Sequence, residues 1–501
     1  MLPTVLLALA CSPKTPPEPL AREVRAPKNV ILVIGDGMGP QQVGLLELYK
    51  QLRPSRPPGE PPSAFATIAA AGGMGMSMSY PYGYLVTDSA CSATQLASGV
   101  PSLVRAVGVD ADGASVPTVL EVAKARGLAT GLVSDTRLTH ATPASFAAHV
   151  PSRDMENVIA EQMLAVGPDV MLSGGLRHFA PASAEGSRRD DDRDLLAEAE
   201  AAGYTVVTDR DGLAGAGPKV LGLFAASGML DAITERRTRE AADRTEPTLT
   251  DMAMAAIDRL DDDDDGFFLM IESGQIDWAG HANDAGWLLH EMLRADEMLT
   301  EVQRWVAQDG ETLLVVTADH ETGGLGVGYR RGDAPEPREL PGEVFAGVLF
   351  DPGQSFGEPV QLDRLAEQKA PFHVLLQQMK QTGPVTPSRL VDAIEAGTGF
   401  TIDEAAARRI LASHPDPLGE AQGDIPAVRD FAAFFAASEY ARTALVAREL
   451  SRAHNIVWGT GGHTHTPVPI YAMGPGASTY TTFLHHTDIG AGLMAWARGT
   501  E

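Results

Sequence analysis

Four short apolar runs, each followed closely by acidic, histidine or threonine residues, constrain the fold of this chain more than any other feature. The runs span residues 29–34, 128–133, 267–271 and 312–317. Continuous apolar runs rich in β-branched residues are typical of strands that are buried on both faces of a parallel sheet. We therefore predict an α/β fold in which helices sandwich a mostly parallel central sheet in three layers.

The residues after these runs predict a shared site. The carboxyl ends of parallel strands meet at one edge of a sheet, where open α/β folds place their sites. The candidates at this edge are Asp36, the loop with His140 and Thr142, Glu272, and the pair Asp319 and His320. Asp277 and His281 add a pair at i, i+4 spacing, which places both side chains on one face of a helical turn. Alone, Asp36 would be read as an ordinary turn residue; the convergence of the clusters favours a site.

The types of side chain indicate metal ions. Carboxylate with imidazole suits zinc, whereas ligation by oxygen alone suits magnesium. A glycine-flanked His463 supplies a further imidazole. Two or three metal ions fit this set of side chains.

Ser89 lies where a loop opens into a predicted helix. The start of a helix offers unpaired backbone N–H groups and a partial positive charge, both of which suit an anion. A serine at this position is ordinarily only a helix cap. The metal-ligand candidates elsewhere in the chain favour a chemical role instead.

Charge and cysteine content exclude several classes of protein. The chain has 501 residues, a formal charge of −27 and no Lys/Arg cluster, so we expect no nucleic acid as a sequence-specific ligand. An anionic substrate would then need positive charge from bound metals and an arginine. Two cysteines cannot make a disulfide framework, and Cys91 is expected to be a packed free thiol.

The pattern of elements predicts one catalytic α/β domain with an insertion. The catalytic domain would comprise 29–330 and 456–501, and residues 331–455 would form a helical insertion that caps the site. Its predicted helices lie around 362–381, 386–396, 402–412 and 425–450. Residues 186–216 are polar and rich in Gly and Ala, and the acidic run 261–265 is a solvated turn in preference to a calcium loop.

The N-terminal segment resembles a bacterial lipoprotein signal. Residues 1–11 are short and apolar and end in small residues followed by Cys11, the expected lipid acceptor. A Pro-rich tether extends to residue 28, so that 1–28 would be signal and tether. We expect an exported bacterial protein, periplasmic or held to the cell envelope through a lipid. The alternatives are a plain signal peptide and a terminal segment without a targeting role.

Six motifs together resemble the alkaline phosphatase family. They occur in the family's order and span residues 29 to about 475. As they stand in this chain they are Gly35-Asp36-Gly37-Met38-Gly39, Thr87-Asp88-Ser89-Ala90, Ala141-Thr142-Pro143 with Ser152-Arg153, Ile271-Glu272 with Ile276-Asp277 and His281, Thr317-Ala318-Asp319-His320-Glu321-Thr322-Gly323-Gly324, and Gly462-His463-Thr464.

The resemblance implies hydrolysis of small phosphate monoesters by a homodimer with two zinc ions and one magnesium ion. Ser89 would be the nucleophile that becomes phosphoserine, and Arg153 would clamp the phosphate. The implied metal ligands are Asp277, His281 and His463 for the first zinc, Asp36, Asp319 and His320 for the second, and Asp36, Thr142 and Glu272 for magnesium.

Two residues near the third metal depart from the family's best-known bacterial members. Those enzymes carry Asp and Lys where this chain has His140 and Trp278, a pairing found in other members of the family. The departure predicts weak magnesium binding. His465 is expected to support the site or lie at the surface, and His149, His485 and His486 are expected to be structural or exposed.

Two other classes of protein compete with this interpretation. One is a phosphodiesterase or sulfatase-type hydrolase with the same core fold. The segment Ser89-Ala90-Cys91 does not match a sulfatase pattern, and a diesterase has no evident use for Arg153. The other is a metal-binding surface protein without activity, which the full set of ligands argues against.

Overall fold

A ten-stranded sheet forms the centre of the protein. The computed structural model describes residues 26–412 and 441–500. Within them the strand order of the sheet is β14-β2-β13-β8-β1-β7-β3-β4-β6-β5, and β9 pairs with β12 and β10 with β11. The strands are β1 Asn29–Gly35, β2 Gly73–Met78, β3 Ala129–Arg137, β4 Val170–Gly174, β5 Thr205–Val207, β6 Val220–Leu223, β7 Phe267–Ser273, β8 Thr312–Ala318, β9 Glu321–Thr322, β10 Leu325–Val327, β11 Ile456–Trp458, β12 His463–Thr464, β13 Val468–Met473 and β14 Phe483–His485.

The four predicted strands lie side by side and parallel, which confirms the fold class. Strand β1 lies between β7 and β8, with Ile34 opposite both Glu272 and Thr317. Strand β3 continues the parallel arrangement beyond β7. Only β13 among the ten strands runs antiparallel to its neighbours, β8 and β2. The carboxyl ends of β1, β3, β7 and β8 therefore lie at one edge.

Helices cover both faces of the sheet. Alternate residues of β1 belong to two separate hydrophobic clusters, Ile31 and Val33 to one and Val30, Leu32 and Ile34 to the other. This alternation is the two-residue period of a strand that is buried on both sides. The helices of the first face include Pro40–Leu52, Ala64–Ala71, Leu249–Leu260 and Ala285–Asp309, and those of the second include Ser89–Ser98, Val119–Ala125, Glu156–Val166 and His486–Arg498.

Several strands were not predicted from the sequence, among them β2, β5 and β6. Strands β5 and β6 lie in and just after the polar segment 186–216, together with the helices Leu195–Ala201 and Arg210–Gly215. Strand β2 has the sequence GMGMSM, which lacks β-branched residues. It pairs with the apolar strand β13, so a partner distant in the chain overrides weak local propensity.

The predicted insertion contains α-helices from residue 360 onward, whereas residues 331–359 contain no α-helix and only the 3-10 turn Glu343–Phe345. Its helices are Val360–Ala366, Phe372–Gln381, Pro387–Thr398, Glu404–Ala412 and Ala441–His454. Leu365, Phe372 and Leu390 belong to the same hydrophobic cluster as the first face of the sheet. The predicted helix 425–450 lies outside the described residues before 441. Among the described helices, none has the length and apolar character needed to cross a bilayer.

The remaining helices are short and connect the strands. They are Ala141–Ala144, Ala232–Thr238 and Gln275–His281, with 3-10 turns at Leu176–His178, Glu343–Phe345 and Ala477–Tyr480. Two of them follow strands that lead to the predicted site, since Ala141–Ala144 comes after β3 and Gln275–His281 after β7. They present the side chains of Thr142, Asp277 and His281 at the same edge.

Candidate active site

A tight turn after β1 brings three acidic residues together. Gly37 has φ +77°, in the left-handed region that favours glycine, and a Cβ there would lie 2.7 Å from the Cα of Asp277. The backbone N–H of Gly37 donates to Oδ1 of Asp319 over 3.1 Å. The glycine therefore lets the chain carrying Asp36 pass closely between the elements that carry Asp277 and Asp319.

Ser89 is the first residue of the helix Ser89–Ser98, as the sequence predicts. The cap is Asp88, whose side chain accepts a hydrogen bond from the backbone N–H of Cys91 over 3.2 Å. The Ser89 hydroxyl is thus not needed as the cap. Its Oγ lies 3.2 Å from Nε2 of His320, and the residue is buried.

Asp277, His281 and His463 form the first group of predicted ligands. His281 Nε2 lies 3.3 Å from Asp277 Oδ2 and 3.2 Å from His463 Nε2. His463 Nε2 lies 3.6 Å from Asp277 Oδ1. The helix Gln275–His281 contains both Asp277 and His281, so the predicted spacing on one helical turn is confirmed.

Backbone carbonyls orient two of these imidazoles. His281 Nδ1 donates to the carbonyl of Gly461 over 2.6 Å, and His463 Nδ1 donates to the carbonyl of Thr87 over 2.9 Å. A carbonyl can only accept, so the hydrogen of each neutral ring is on Nδ1 and the lone pair on Nε2. Both Nε2 atoms face Asp277. A histidine that binds a metal through one ring nitrogen commonly donates its other N–H to a carbonyl in this way.

Asp36, Asp319 and His320 form the second group. Their ligand atoms lie within 4.8 Å of one another and all three residues are buried. His320 Nε2 is 3.5 Å from Asp36 Oδ1 and 3.2 Å from Asp319 Oδ2. The rings of His320 and His463 stack with centroids 3.6 Å apart, so the first and second groups adjoin.

Burial and neighbouring charges shift the pKa values of side chains in these two groups. Burial, and then the neighbouring carboxylates of which Asp277 is one, raise the pKa of Asp319 to about 8 and that of Asp36 well above its ordinary value. Burial opposes a charge on His281, but the adjacent Asp277 carboxylate raises its pKa to about 9. Without another cation, a proton on His281 offsets the charge of Asp277.

Asp36, Glu272, Thr142 and His140 form the third group. Thr136 Oγ1 donates to Glu272 Oε2 over 2.9 Å, and Ser134 Oγ donates to the same oxygen. The other oxygen, Oε1, lies 3.8 Å from His140 Nδ1. His140 Nε2 accepts a hydrogen bond from Arg153 over 3.1 Å. The remaining hydrogen of a neutral His140 ring is therefore on Nδ1 and points toward Glu272.

The residues present fit metal ions. Several buried side-chain atoms of the second and third groups have no hydrogen-bond donor among the described residues. These atoms are both carboxylate oxygens of Asp36, Oδ2 of Asp319, Oε1 of Glu272 and Oγ1 of Thr142. An unpaired buried oxygen is costly, and crowded carboxylates favour cations at the same point.

Arg153 extends from the loop after the predicted Thr142 motif to the start of the Ser89 helix. Its NH1 donates to Asp88 Oδ2 over 3.0 Å, and its side chain is 18% exposed. Its partner Asp88 directly precedes Ser89, so the guanidinium lies near that serine. Such a guanidinium can offer its planar fork to an anion that enters the site.

The remaining candidates lie around these groups or outside the described residues. Trp278 packs edge-on against His140 with ring centroids 6.2 Å apart. Cys91 is a buried free thiol, which confirms the prediction. His465 is partly buried, with its ring 6.1 Å from that of Tyr80. Cys11 lies outside the described residues.

His485 and His486 differ in their surroundings. His485 is partly buried, whereas His486 is fully buried. Its Nε2 donates to the backbone carbonyl of Asp319 over 2.9 Å, so His486 supports the second group from behind. Both histidines were predicted to be structural or exposed. His486 is structural and not exposed.

Several residues that shape the site were missed from the sequence. Ser134 and Thr136 hold Glu272, and Thr322 Oγ1 donates to Asp277 Oδ1 over 2.5 Å. The polar segment 134–136 follows directly on a predicted strand, which is a signal that could have been used. The carbonyls of Thr87 and Gly461 leave no signal, because every residue has one.

The edge of the sheet, its three carboxylate–imidazole groups and the serine among them define a metal-binding hydrolase. Comparison with known proteins then identifies the family. The family model described as alkaline phosphatase matches residues 27–341. Alkaline phosphatase 3 of Bacillus subtilis (strain 168) is 33% identical over 92% of this chain and 87% of its own length.

Solved structures agree with the sequence relatives. The crystal structure of Thermus thermophilus alkaline phosphatase superimposes with a TM-score of 0.77 at 29% identity, covering 95% of this chain and 92% of that one. The cold-active alkaline phosphatase of Shewanella sp. gives 0.70 at 27% identity, covering 94% and 99%. The chain belongs to the alkaline phosphatase family, whose members are phosphoric monoester hydrolases.

Proposed function

We propose that this enzyme hydrolyses phosphate monoesters through a phosphoserine on Ser89, with two zinc ions and one magnesium ion as cofactors. The observation that carries the proposal is the position of Ser89. Its Oγ lies at a helix N-terminus and 3.2 Å from His320 Nε2, beside ligand groups crowded with negative charge. The releasable products are inorganic phosphate and an alcohol.

Two bond exchanges at phosphorus make up the reaction. Ser89 Oγ bonds to phosphorus while the bond from phosphorus to the alcohol oxygen breaks. Water then replaces Ser89 Oγ, which restores the hydroxyl and releases inorganic phosphate. The free N–H groups at the helix start and the helix dipole favour the charge of the phosphate throughout.

The first two ligand groups would each bind one zinc ion. Asp277, His281 and His463 would hold the first zinc, and Asp36, Asp319 and His320 the second, since imidazole with carboxylate suits zinc. When bound, these ions would activate the serine hydroxyl and stabilise the attacking and leaving oxygens. The carbonyls of Gly461 and Thr87 hold the two imidazoles of the first group in the orientation that binding requires.

The third group would bind magnesium with low affinity. Glu272, Thr142 and Asp36 offer oxygen atoms, as magnesium prefers. His140 presents an N–H toward Glu272 while its Nε2 accepts from Arg153. An aspartate at position 140 would contribute an oxygen and a negative charge there. The imidazole contributes neither, which supports weak binding.

Arg153 favours monoesters over diesters. Its guanidinium is fixed by Asp88 and would pair with two phosphate oxygens that carry charge. A diester has a second organic substituent in place of one of these oxygens. The alternative of a phosphodiesterase or sulfatase-type hydrolase predicts no such preference.

Several wider features of the enzyme remain proposals. We expect a homodimer, a catalytic domain of 29–330 and 456–501, and a role for 331–455 as a cap over the site. We expect export to the periplasm or cell envelope with Cys11 as a lipid acceptor. A Cys11→Ser variant that stays in the membrane fraction as wild type does would contradict the lipid anchor.

Direct trapping of the intermediate tests the proposal. The enzyme is mixed with a phosphate monoester, quenched in acid and digested, and the peptide containing Ser89 is examined by mass spectrometry. We expect a phosphate on Ser89, and none in Ser89→Ala. Ser92→Ala is the matched control, because Ser92 is buried in the same helix and bonds to the backbone carbonyl of Asp88. A phosphate that persists in Ser89→Ala contradicts the proposal.

A further inference from the structure

Glu321 is a buried carboxylate beside the metal-ligand groups that neither the proposed chemistry nor the ligand sets use. It follows Asp319 and His320 directly and begins β9. Its side chain is 3% exposed. All of its hydrogen-bond donors in the described part of the chain are uncharged, so it is not half of an ion pair there.

Two distant segments and the turn that directly follows Glu321 donate to this one carboxylate. Gln42 Nε2, on the helix after the Asp36 turn, donates to Oε1 over 2.8 Å. The backbone N–H of Gly324 donates to the same oxygen over 3.0 Å. Thr464 Oγ1, adjacent to His463 in the chain, donates to Oε2. Glu321 thereby connects the segment after Asp36 with the segment that carries His463.

The strand pairing depends on this connection. Strand β12 consists of two residues, His463 and Thr464. Among the described strands it pairs with β9 alone, where Thr464 lies opposite Glu321 and His463 opposite Thr322. A two-residue pairing is marginal without added contacts. The bond from Thr464 to Glu321 fixes the register that places the imidazole of His463 beside Asp277 and His281.

The side chain of Glu321 is tightly packed against the start of the helix that contains Gln42. Gln42 is fully buried and its Nε2 also donates to the carbonyl of Thr322 over 2.9 Å. A Cβ on Gly39 would lie 2.2 Å from Cγ of Glu321. The chain thus provides a fitted space for the Glu321 side chain and a buried amide that bonds to it.

We propose that Glu321 is a positioning residue, which holds His463 in place for the first zinc ion through Thr464 and fixes both to the helix of Gln42. This inference rests on the proposed function. Partners that orient metal ligands through hydrogen bonds typically change metal affinity by roughly 10–100-fold when removed. The contribution is made by hydrogen bonds and not by the charge of the carboxylate.

A glutamine in place of Glu321 can keep these bonds. Its amide oxygen would accept from Gln42 and Gly324, and its NH2 would donate to Thr464 Oγ1. The hydroxyl of Thr464 would then turn to donate to Thr466 Oγ1, which lies 2.9 Å away. Glu321→Gln therefore separates hydrogen bonding from charge, whereas Glu321→Ala removes both.

Zinc affinity of the metal-stripped full-length protein tests the inference. It is measured by competition with a chromogenic zinc chelator for wild type, Glu321→Ala, Glu321→Gln, Thr464→Val and Thr464→Ser. We expect Glu321→Ala and Thr464→Val to bind one zinc ion about 10–100-fold more weakly. Glu321→Gln and Thr464→Ser, which keep the hydrogen bond, should lie near wild type.

The Thr464 pair keeps the test valid if Glu321→Ala fails to fold. Thr464→Val has nearly the volume of threonine, and the melting temperatures of metal-stripped Thr464→Val and Thr464→Ser show whether both variants fold. Thr464→Val with the zinc affinity of Thr464→Ser overturns the inference, as does Glu321→Gln with an affinity as low as Glu321→Ala. A wild-type protein that binds no zinc contradicts the proposed function instead.

Discussion

Arg153 and Asp88 form an ion pair, 3.0 Å from NH1 to Oδ2, directly beside the serine at position 89. The same Asp88 side chain caps the Ser89 helix and accepts from the backbone N–H of Arg105 over 2.8 Å. One carboxylate thus fixes both the start of the helix and the guanidinium. The positive group that would receive a phosphate is held in place before the phosphate arrives.

Replacement of Arg153 should weaken the reaction of phosphate monoesters. Hydrogen bonds to charged groups contribute about 1.5–3 kcal/mol, so Arg153→Ala should lower kcat/KM roughly 10–100-fold. Arg153→Lys should lie between, because an ammonium cannot offer two parallel donors. Steady-state kinetics with Arg105→Ala as control, an exposed arginine near the same loop, provides the test. Equal losses in Arg105→Ala and Arg153→Ala would contradict the assignment.

His140→Asp should strengthen the response to magnesium. The substitution replaces an N–H that faces Glu272 with a carboxylate, and an additional anionic oxygen suits magnesium. We expect half-maximal stimulation at a lower Mg²⁺ concentration, measured by titrating Mg²⁺ into zinc-loaded enzyme. His140→Asn is the neutral control. If Asn and Asp variants respond alike, the charge at position 140 does not set magnesium affinity.

Arg294→Leu should destabilise the fold. Arg294 is buried on the helix Ala285–Asp309 and its guanidinium lies 2.7 Å from Asp135 Oδ2, with the carboxylate of Glu291 alongside. Removal of the cation leaves buried carboxylates uncompensated, at a cost of about 3–5 kcal/mol in the free energy of unfolding. Denaturant unfolding measures the change. Arg304→Leu on the exposed face of the same helix should stay within about 0.5 kcal/mol of wild type.

Gly39→Ala should destabilise the protein and Gly44→Ala should not. A Cβ at position 39 would collide with Glu321, and overpacking costs about 1–3 kcal/mol. Gly44 lies in the helix Pro40–Leu52, where a Cβ has no atom nearer than 3.9 Å. Alanine there should stabilise the helix by roughly 0.5–1 kcal/mol. Thermal unfolding of both variants and of wild type measures the two changes in stability. Changes of the same sign and size in the two variants would contradict the prediction.

The sequence predicted strands well where burial on both faces requires a continuous run of apolar residues. Strands β1, β3, β7 and β8 are covered on both faces, so their apolar runs stand out. The same topology places the residues after them at one edge, which is why the convergence of Asp36, Glu272 and Asp319 was predictable. Strand β2 was not predictable, because its strand form depends on pairing with β13.

The groups that orient the site residues through hydrogen bonds were harder to predict from the sequence. The carbonyls that orient His281 and His463 belong to Gly461 and Thr87, and their identity as residues has no bearing on that role. Glu321 was visible inside a motif, but two of its hydrogen-bond donors, Gln42 and Thr464, come from distant parts of the chain. Contacts of this kind are set by tertiary structure and leave no local pattern.

Hydrolysis of p-nitrophenyl phosphate compared with bis-p-nitrophenyl phosphate at alkaline pH tests the assignment of Ser89 as the nucleophile of a phosphomonoesterase. Wild type and Ser89→Ala are assayed with Zn²⁺, with and without Mg²⁺. We predict rapid monoester turnover by wild type, little diester turnover, and loss of monoester turnover in Ser89→Ala by several orders of magnitude. A preference for the diester, or a Ser89→Ala enzyme with full activity, would contradict the account.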